Sequence, residues 1–303
     1  MIQTQSTRSR GHVGVSIRWC GPLLGLGAAG LMLFSAVPVA AATTVYLGRS
    51  NSFAVLAGTP NVTNTGASTI LGSLGVSPGS AVTGFPPGTV SDGTIHTADG
   101  VAAGAQSDLI TAYNHAAAEG PVTATEPANL SGLTLTAGVY QTSSDGALSV
   151  TGGTLTLDGG GNPNAVFIFQ TASSLITGTS SVVMTGGASA CNVFWQVGSS
   201  ATLNGASFAG TVMALTSITV GSGVTVNGRV LARNGDVTLI DDRINASACF
   251  PAISSSTSPV PDTGASGASQ FEIGLPLGLG GLALLGVGVS VATIRRRRGV
   301  SAR

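Results

Sequence analysis

Lysine is absent from this 303-residue chain, and charge of any kind is scarce at 8% of residues. A surface so poor in cations has no basic strip to follow a phosphate backbone, which argues against a nucleic-acid partner. Aromatic residues make up 5%, with two Trp and three Tyr, so a platform for stacking sugar rings is poorly supplied. With no lysine there is no P-loop, and the three cysteines have no zinc-site spacing. Polysaccharide chemistry would need paired carboxylates, or a basic residue beside metal-binding acids. The acids here are few and scattered. Asp92, His96 and Asp99 fall in a loop that reads as solvated rather than metal-binding. Asp236, Asp241 and Asp242 lie near Arg233 and Arg243 and read as a salt-bridged edge rather than a calcium site. No catalysis, metal or cofactor is expected.

What the chain does have is glycine, 45 residues of it, and apolar residues at 43%. That composition is too apolar for a disordered chain. The stretch Gly205-Ala206-Ser207-Phe208-Ala209-Gly210-Thr211-Val212-Met213-Ala214 recurs 18 residues later as Gly223-Val224-Thr225-Val226-Asn227-Gly228-Arg229-Val230-Leu231-Ala232. Glycine falls on glycine twice, and Ser207 falls on Thr225. A period near 18 to 20 in a Gly-, Thr- and Val-rich sequence predicts short strands coiled and stacked on copies of themselves. Polar and apolar residues alternate within each copy, so one side of a strand faces a core and the other faces water.

Taken in order, residues 1–42 have the form of a secretory signal peptide: Arg8, Arg10 and Arg18, then an apolar run from Leu23 to Val37, then the small residues Ala40 and Ala41. Residues 43–252 form the body. Within it four arginines face ten acids, a balance near −6, which suits a soluble surface. One helix is expected over 98–118, where Ala102, Ala105, Leu109, Ala112, Tyr113 and Ala116 make one apolar stripe. Asp99 stands near its start and His115 near its end, each favourable to the helix dipole. At 1.5 Å per residue the helix matches the height of about six stacked coils. Lying along the stack, it would cover a side of the core that the strands leave open. Ala165–Gln170 and Asn192–Val197 are apolar throughout and read as strands buried on both sides. Cys191 and Cys249 are an even pair in an exported chain, which reads as a disulfide, with two buried free thiols as the alternative. Residues 253–273 are a Ser-, Pro- and Gly-rich linker. The run within 274–298 is apolar from Leu275 to Ile294 and ends in Arg295-Arg296-Arg297-Arg298, long enough to span a bilayer with its C-terminus inside.

Two resemblances rest on these residues. Over roughly 47–250, the Phe53-to-Gly79 entry, the helix, Asn164–Gln170, Asn192–Gly198 and Asn227–Ala232 resemble the ice-binding β-solenoid family of microbes. That resemblance implies a mainly β fold: a right-handed, discontinuous β-solenoid with one long α-helix packed alongside its axis. It implies an ice surface as the partner. The family's pattern Thr-(Ala/Gly)-x-(Thr/Asn) is matched by Thr151-Gly152-Gly153-Thr154 and, with Ser last, by Thr65-Gly66-Ala67-Ser68. Thr65, Ser68, Thr151, Thr154, Ser207 and Thr225 are therefore the candidate ice contacts. Coils repeat about every 4.8 Å and same-side residues about every 7 Å, and Thr is stiff at χ1. Such a lattice can hold ordered water. Charges at Arg233-Asn234-Gly235-Asp236 would weaken it if they lay on the same face. The scaffold could instead serve as an adhesive module for another ligand such as a glycan.

Val260-Pro261-Asp262-Thr263-Gly264, followed by the apolar run and arginines, resembles the sorting signal of sortase-processed Gram-positive surface proteins. In that family a sortase cysteine attacks the Thr carbonyl, here Thr263, releases the chain from Gly264 onward and joins the Thr to a cell-wall amine. Val260 departs from the family's Leu, which leaves an ordinary membrane span as the alternative. Either way the body is expected outside the cell, held at its surface.

Overall fold

A computed structural model describes residues 42–142 and 146–249. Short parallel strands wind into a three-sided coil, and successive coils hydrogen-bond edge to edge. The first side, the helix face, stacks nine strands. Their order is Ala124–Glu126, Gly138–Thr142, Phe167–Thr171, Val193–Val197, the second halves of Ser207–Ala214 and Thr225–Ala232, then Phe53–Ala57, Ser73–Val76 and Ile95–Thr97. The second side is a seven-stranded sheet: Leu148–Val150, Leu175–Thr177, Ala201–Leu203, Ile218–Val220, Val237–Ile240, Asn61–Thr65 and Ala81–Thr83. The third side carries Thr134–Thr136, Thr154–Asp158, Ser181–Thr185, the first halves of Ser207–Ala214 and Thr225–Ala232, then Arg243–Asn245, Thr69–Leu71 and Thr89–Ser91.

The order of stacking is not the order of the chain. Phe53–Ala57 pairs with Thr225–Ala232, so the first coils sit beyond the last ones. Having built that end, the chain must return to start the other. The α-helix Gly100–Ala118 makes the return. Asp99 caps it, accepting from the Ala102 amide at 2.8 Å, as Asp at an N-cap should. The sequence expectation of a side left open by the strands needs correction. Every side is stranded, and the helix covers the outer surface of a strand layer that is apolar on both sides. Val193–Val197 and Phe167–Thr171 are buried at all positions. Ile168, Phe194, Met213 and Leu231 point out to meet Ala105, Leu109, Ala112 and Ala116 of the helix. Their neighbours Phe167, Phe169, Trp195, Val212 and Val230 point into the coil.

Polar bonds fix the helix at three levels. Gln106 donates to the Ala232 carbonyl (3.1 Å), Tyr113 to Val197 (3.1 Å), and Gln170 to the Ala116 carbonyl (2.7 Å). Outside, Arg49 clasps Asp108 with two guanidinium bonds, 2.9 and 3.0 Å. Arg49 holds the Asp108 carboxyl down at about 2. Inside the coil, Tyr140, Phe169, Trp195 and Phe208 stack in a row, with Phe169 and Trp195 centroids 4.1 Å apart. The Trp195 indole donates to Ala209 (3.0 Å), satisfying the one polar atom such a ring buries. Gly210 (φ 112°) and Gly228 (φ 145°) stack where their strands turn from the third side to the helix face. A Cβ on Gly210 would lie 2.7 Å from the Val193 carbonyl and 2.8 Å from the Trp195 indole nitrogen. This is the physical reason for the glycine that the repeat keeps.

Cys191 and Cys249 are disulfide-linked, with Cα atoms 5.1 Å apart. Among the described residues no helix is long and apolar enough to cross a membrane. The expected signal peptide, linker, sorting motif and apolar run lie outside the described residues.

The disulfide closes a separation of 58 residues, for which loop-closure entropy gives about 4 kcal/mol. Replacing both cysteines by serine is expected to lower the unfolding free energy by about 2–4 kcal/mol, read from a lower denaturant midpoint with a steeper slope, since the unbridged chain unfolds to a more open state. An unchanged midpoint would show that the bridge constrains nothing in the unfolded chain.

Candidate functional site

The outward side chains of the seven-stranded sheet fall into one file. Ser149 stacks on Ile176, then Thr202, Thr219, Thr238, Thr63 and Thr83. Five threonines thus stand in register on five neighbouring strands, about 4.8 Å apart. Thr202, Thr219, Thr238 and Thr63 are half-buried and Thr83 is exposed. Thr202, Thr219 and Thr238 each sit between two core aliphatics, as in Ile218-Thr219-Val220 and Val237-Thr238-Leu239, whose apolar members are fully buried. The buried flanks fix the strand, and the strand fixes the threonine. A β-branched side chain on a pleated strand keeps one rotamer at little entropic cost.

Two residues earlier on each strand lies a second file: Ala147, Ser174, Ser200, Ser217, Asp236, Asn61 and Ala81. Only Asp236 is charged. Ser217 Oγ donates to Asp236 Oδ1 at 2.5 Å, and Thr238 Oγ1 to Oδ2 at 3.4 Å. Arg233 belongs elsewhere: its guanidinium lies 5.5 Å from the Tyr113 ring centre, on the helix side. Of the two charges in Arg233-Asn234-Gly235-Asp236, Asp236 alone lies on this face.

The six residues picked out by sequence do not form one site. Thr154, Ser207 and Thr225 share a file, but on the third side: Thr154 pairs with Ser181, Ser181 with Ser207, and Ser207 with Thr225. The next step in that file is the exposed Arg243, followed by Thr69 and Thr89. Thr65 is exposed at the corner between the second and third sides. Thr151 stands at the same corner, its backbone amide bonded to Asn129 Oδ1 (3.2 Å). Ser68 is fully buried and its hydroxyl accepts from the Asp242 amide at 2.9 Å, so it has no contact with solvent. Sequence reading missed the five-threonine file itself. The signal was present as a lone Thr between two aliphatics in three short strands, where attention went to the aliphatics as core.

The acids and His96 are engaged locally. His96 Nδ1 lies 2.7 Å from Asp99 Oδ2, and its Nε2 lies 2.8 Å from the Thr94 hydroxyl. The Ala102 amide and then His96 pull the Asp99 carboxyl below its usual range. His115 lies 3.5 Å from Glu119. The expected salt-bridged edge is not formed: among the described residues no ion pair joins Asp236, Asp241 or Asp242 to Arg233 or Arg243. Asp241 Oδ1 instead accepts from the Ala67 amide (3.2 Å). Asp242 is 3% exposed and accepts from the Ile240 amide (2.6 Å) and the Val224 amide (3.1 Å). The Val224 bond ties its corner to the coil before, while its own amide reaches Ser68 on the coil beyond. Among the described residues no cluster of His, Cys, Asp or Glu could hold a metal. A shallow trough of about 730 Å³ lies at the same corner, lined by residues such as Gly152, Thr154, Ser181, Gly205 and Ser222. It has no titratable lining.

Burial pushes the Asp242 carboxyl up to about 7, against the two amides, with Asp241 adding to the rise. An ordinary Asp titrates near 3.9. The folded state therefore holds this proton more tightly than the unfolded chain, and its stabilisation is complete below about pH 4 and lost as pH rises through about 7. Asp242→Asn is expected to remove that part of the decline, seen as a flatter melting temperature between pH 4 and 7. An unchanged slope would show that another group carries it.

Residues 55–245 match the family model described as Ice-binding-like. The chain is 50% identical over 212 residues to an ice-binding protein of Nostoc sp. (strain HG1), covering 69% of this chain and 77% of that one. Among solved structures it is similar to an ice binding protein from an Antarctic biological consortium, with TM-score 0.64, 46% identity, and coverage of 70% of this chain and 96% of that one. It is also similar to an ice-binding protein from the Antarctic ascomycete Antarctomyces psychrotrophicus, with TM-score 0.63, 39% identity, and coverage of 67% and 98%.

Proposed function

The chain belongs to the Ice-binding-like family, and from that premise we propose that it adsorbs to ice through the seven-stranded threonine face. The observation that carries the reading is the in-register file Thr202–Thr219–Thr238–Thr63–Thr83. Along the file the spacing is that of neighbouring strands, and across it that of alternate residues, about 4.8 by 7 Å. Hydroxyls held on that grid can anchor a layer of water. The methyl groups between them exclude competing arrangements. Since the side chains are already ordered, little entropy is lost when the layer joins a crystal.

The third side is the rival face, and it contains the sequence-chosen Thr154, Ser207 and Thr225. Its file is interrupted by the exposed Arg243, whose guanidinium would keep its own hydration. The threonine face also carries one charge, Asp236, but beside its file of five threonines, which runs unbroken. The reading is of a binder without catalysis, supported by the engagement of the described acids in capping and turn bonds. A glycan-binding surface has less support, since Trp195, Tyr113 and Tyr140 are buried in packing and Tyr46 is the one exposed Trp or Tyr among the described residues.

We infer further that the chain is exported and held at the cell surface through 253–298, by sortase processing at Thr263–Gly264 and transfer to a cell-wall amine, or by a membrane span. The sequence of 253–298 supports this. Release of the protein by wall hydrolysis, and not by detergent, is expected for the sortase reading, and the reverse for the span.

In the microscope, Thr219→Tyr is expected to abolish the shaping of ice crystals and the gap between melting and freezing. Thr225→Tyr, a change of equal size on the third side, is expected to retain both. The opposite pattern would move the site to the third side. Round, freely growing crystals with the unaltered protein would end the ice reading.

A further inference from the structure

Asp236 stands inside the face that the proposed function assigns to ice. Its place in the second file is flanked by Ser217 on the coil before and Asn61 on the coil after, with Thr238 two residues on along its own strand. Its two carboxylate oxygens take the Ser217 and Thr238 hydroxyls, at 2.5 and 3.4 Å. An ionised carboxylate accepts hydrogen bonds and donates none. The Ser217 proton, and across a longer contact that of Thr238, therefore point along the face at Asp236, and what remains outward at Ser217, Thr238 and Asp236 is lone pairs.

A water molecule in ice gives two hydrogen bonds and receives two. A patch of three neighbouring groups that only accept must be met by waters that all donate toward it. That arrangement is the hydration shell of an anion, not a plane of ice. The patch lies mid-file: Thr202 and Thr219 precede Thr238, and Thr63 and Thr83 follow it. Among the described residues no cation is paired with Asp236. The other side chains of the two files are neutral.

We propose that Asp236 limits the strength with which the threonine face holds ice, by committing two of its hydroxyl protons and ordering water around a charge at its centre. The proposal rests on the ice reading. It also makes Asp236 the position through which the activity of this scaffold is set: serine there would continue the Ser200–Ser217 file.

The test compares the unaltered protein with Asp236→Ser and Asp236→Asn in the gap between melting and freezing, measured over a concentration series. Thr219→Tyr is the non-binding control, and circular dichroism and melting temperature are recorded for all four. Asp236→Ser is expected to reach the original gap at about five-fold lower concentration, the factor that one hydrogen bond of ordinary net strength makes in a binding constant. Asp236→Asn, which keeps the shape and removes the charge, is expected to fall between the two. If Asp236→Ser fails to fold, Asp236→Asn alone decides, by a gain or its absence. A folded neutral variant with an equal or smaller gap overturns the proposal while leaving the ice reading intact. The absence of any gap in the unaltered protein overturns both.

Discussion

The structure depends on the backbone hydrogen bonds between stacked coils. Coils pair residue for residue over most of the stack, as when Ser207 through Ala214 meet Thr225 through Ala232 without a slip; the register shifts once, between Phe53 and Val55 against Ser73 and Leu74. A one-residue slip would turn every side chain to the opposite face. Aromatics and aliphatics, all inside, make that costly. The core is thus what holds the register, and the register is what turns single threonines on separate strands into one file. No loop or mobile element is needed to assemble the face.

The discontinuity of the stack has a structural consequence. Because Phe53–Ala57 joins the coil of Thr225–Ala232, the threonine file draws on both ends of the sequence: Thr63 and Thr83 from the first coils, Thr202, Thr219 and Thr238 from the last. The helix that carries the chain back also covers the apolar outer side of the strands opposite, so one face is closed to water and another is left to meet it. At the free end, Phe85 packs against the core and is followed by Pro86 and Pro87, which offer no amide to an incoming strand.

Much of the fold was legible in the sequence. Gly210 and Gly228 gave the stacking step, and the stripe from Ala102 to Ala116 gave the helix. The unbroken apolar runs at Phe167 and Val193 marked strands covered on both sides. The site was less legible. Three-residue strands are too short for alternation to stand out, and a Thr between Ile and Val reads as part of the core. The pattern Thr-Gly-Gly-Thr spans a corner, so its two threonines face different sides. Ser68 fits the same pattern but is drawn inward by the Asp242 amide, a partner 174 residues away that no local pattern reveals. The cluster of Asp and Arg near the end of the body suggested salt bridges, but the carboxylates instead bond amides and hydroxyls that only the stacking supplies.

The most direct measurement is adsorption itself. The protein, labelled at a position remote from the threonine sheet, is frozen slowly into a single-crystal ice hemisphere and the ice is viewed by fluorescence. A face with a fixed two-dimensional spacing predicts fluorescence confined to discrete, symmetry-related planes. Clear ice, with all the label left in the liquid, would contradict the account.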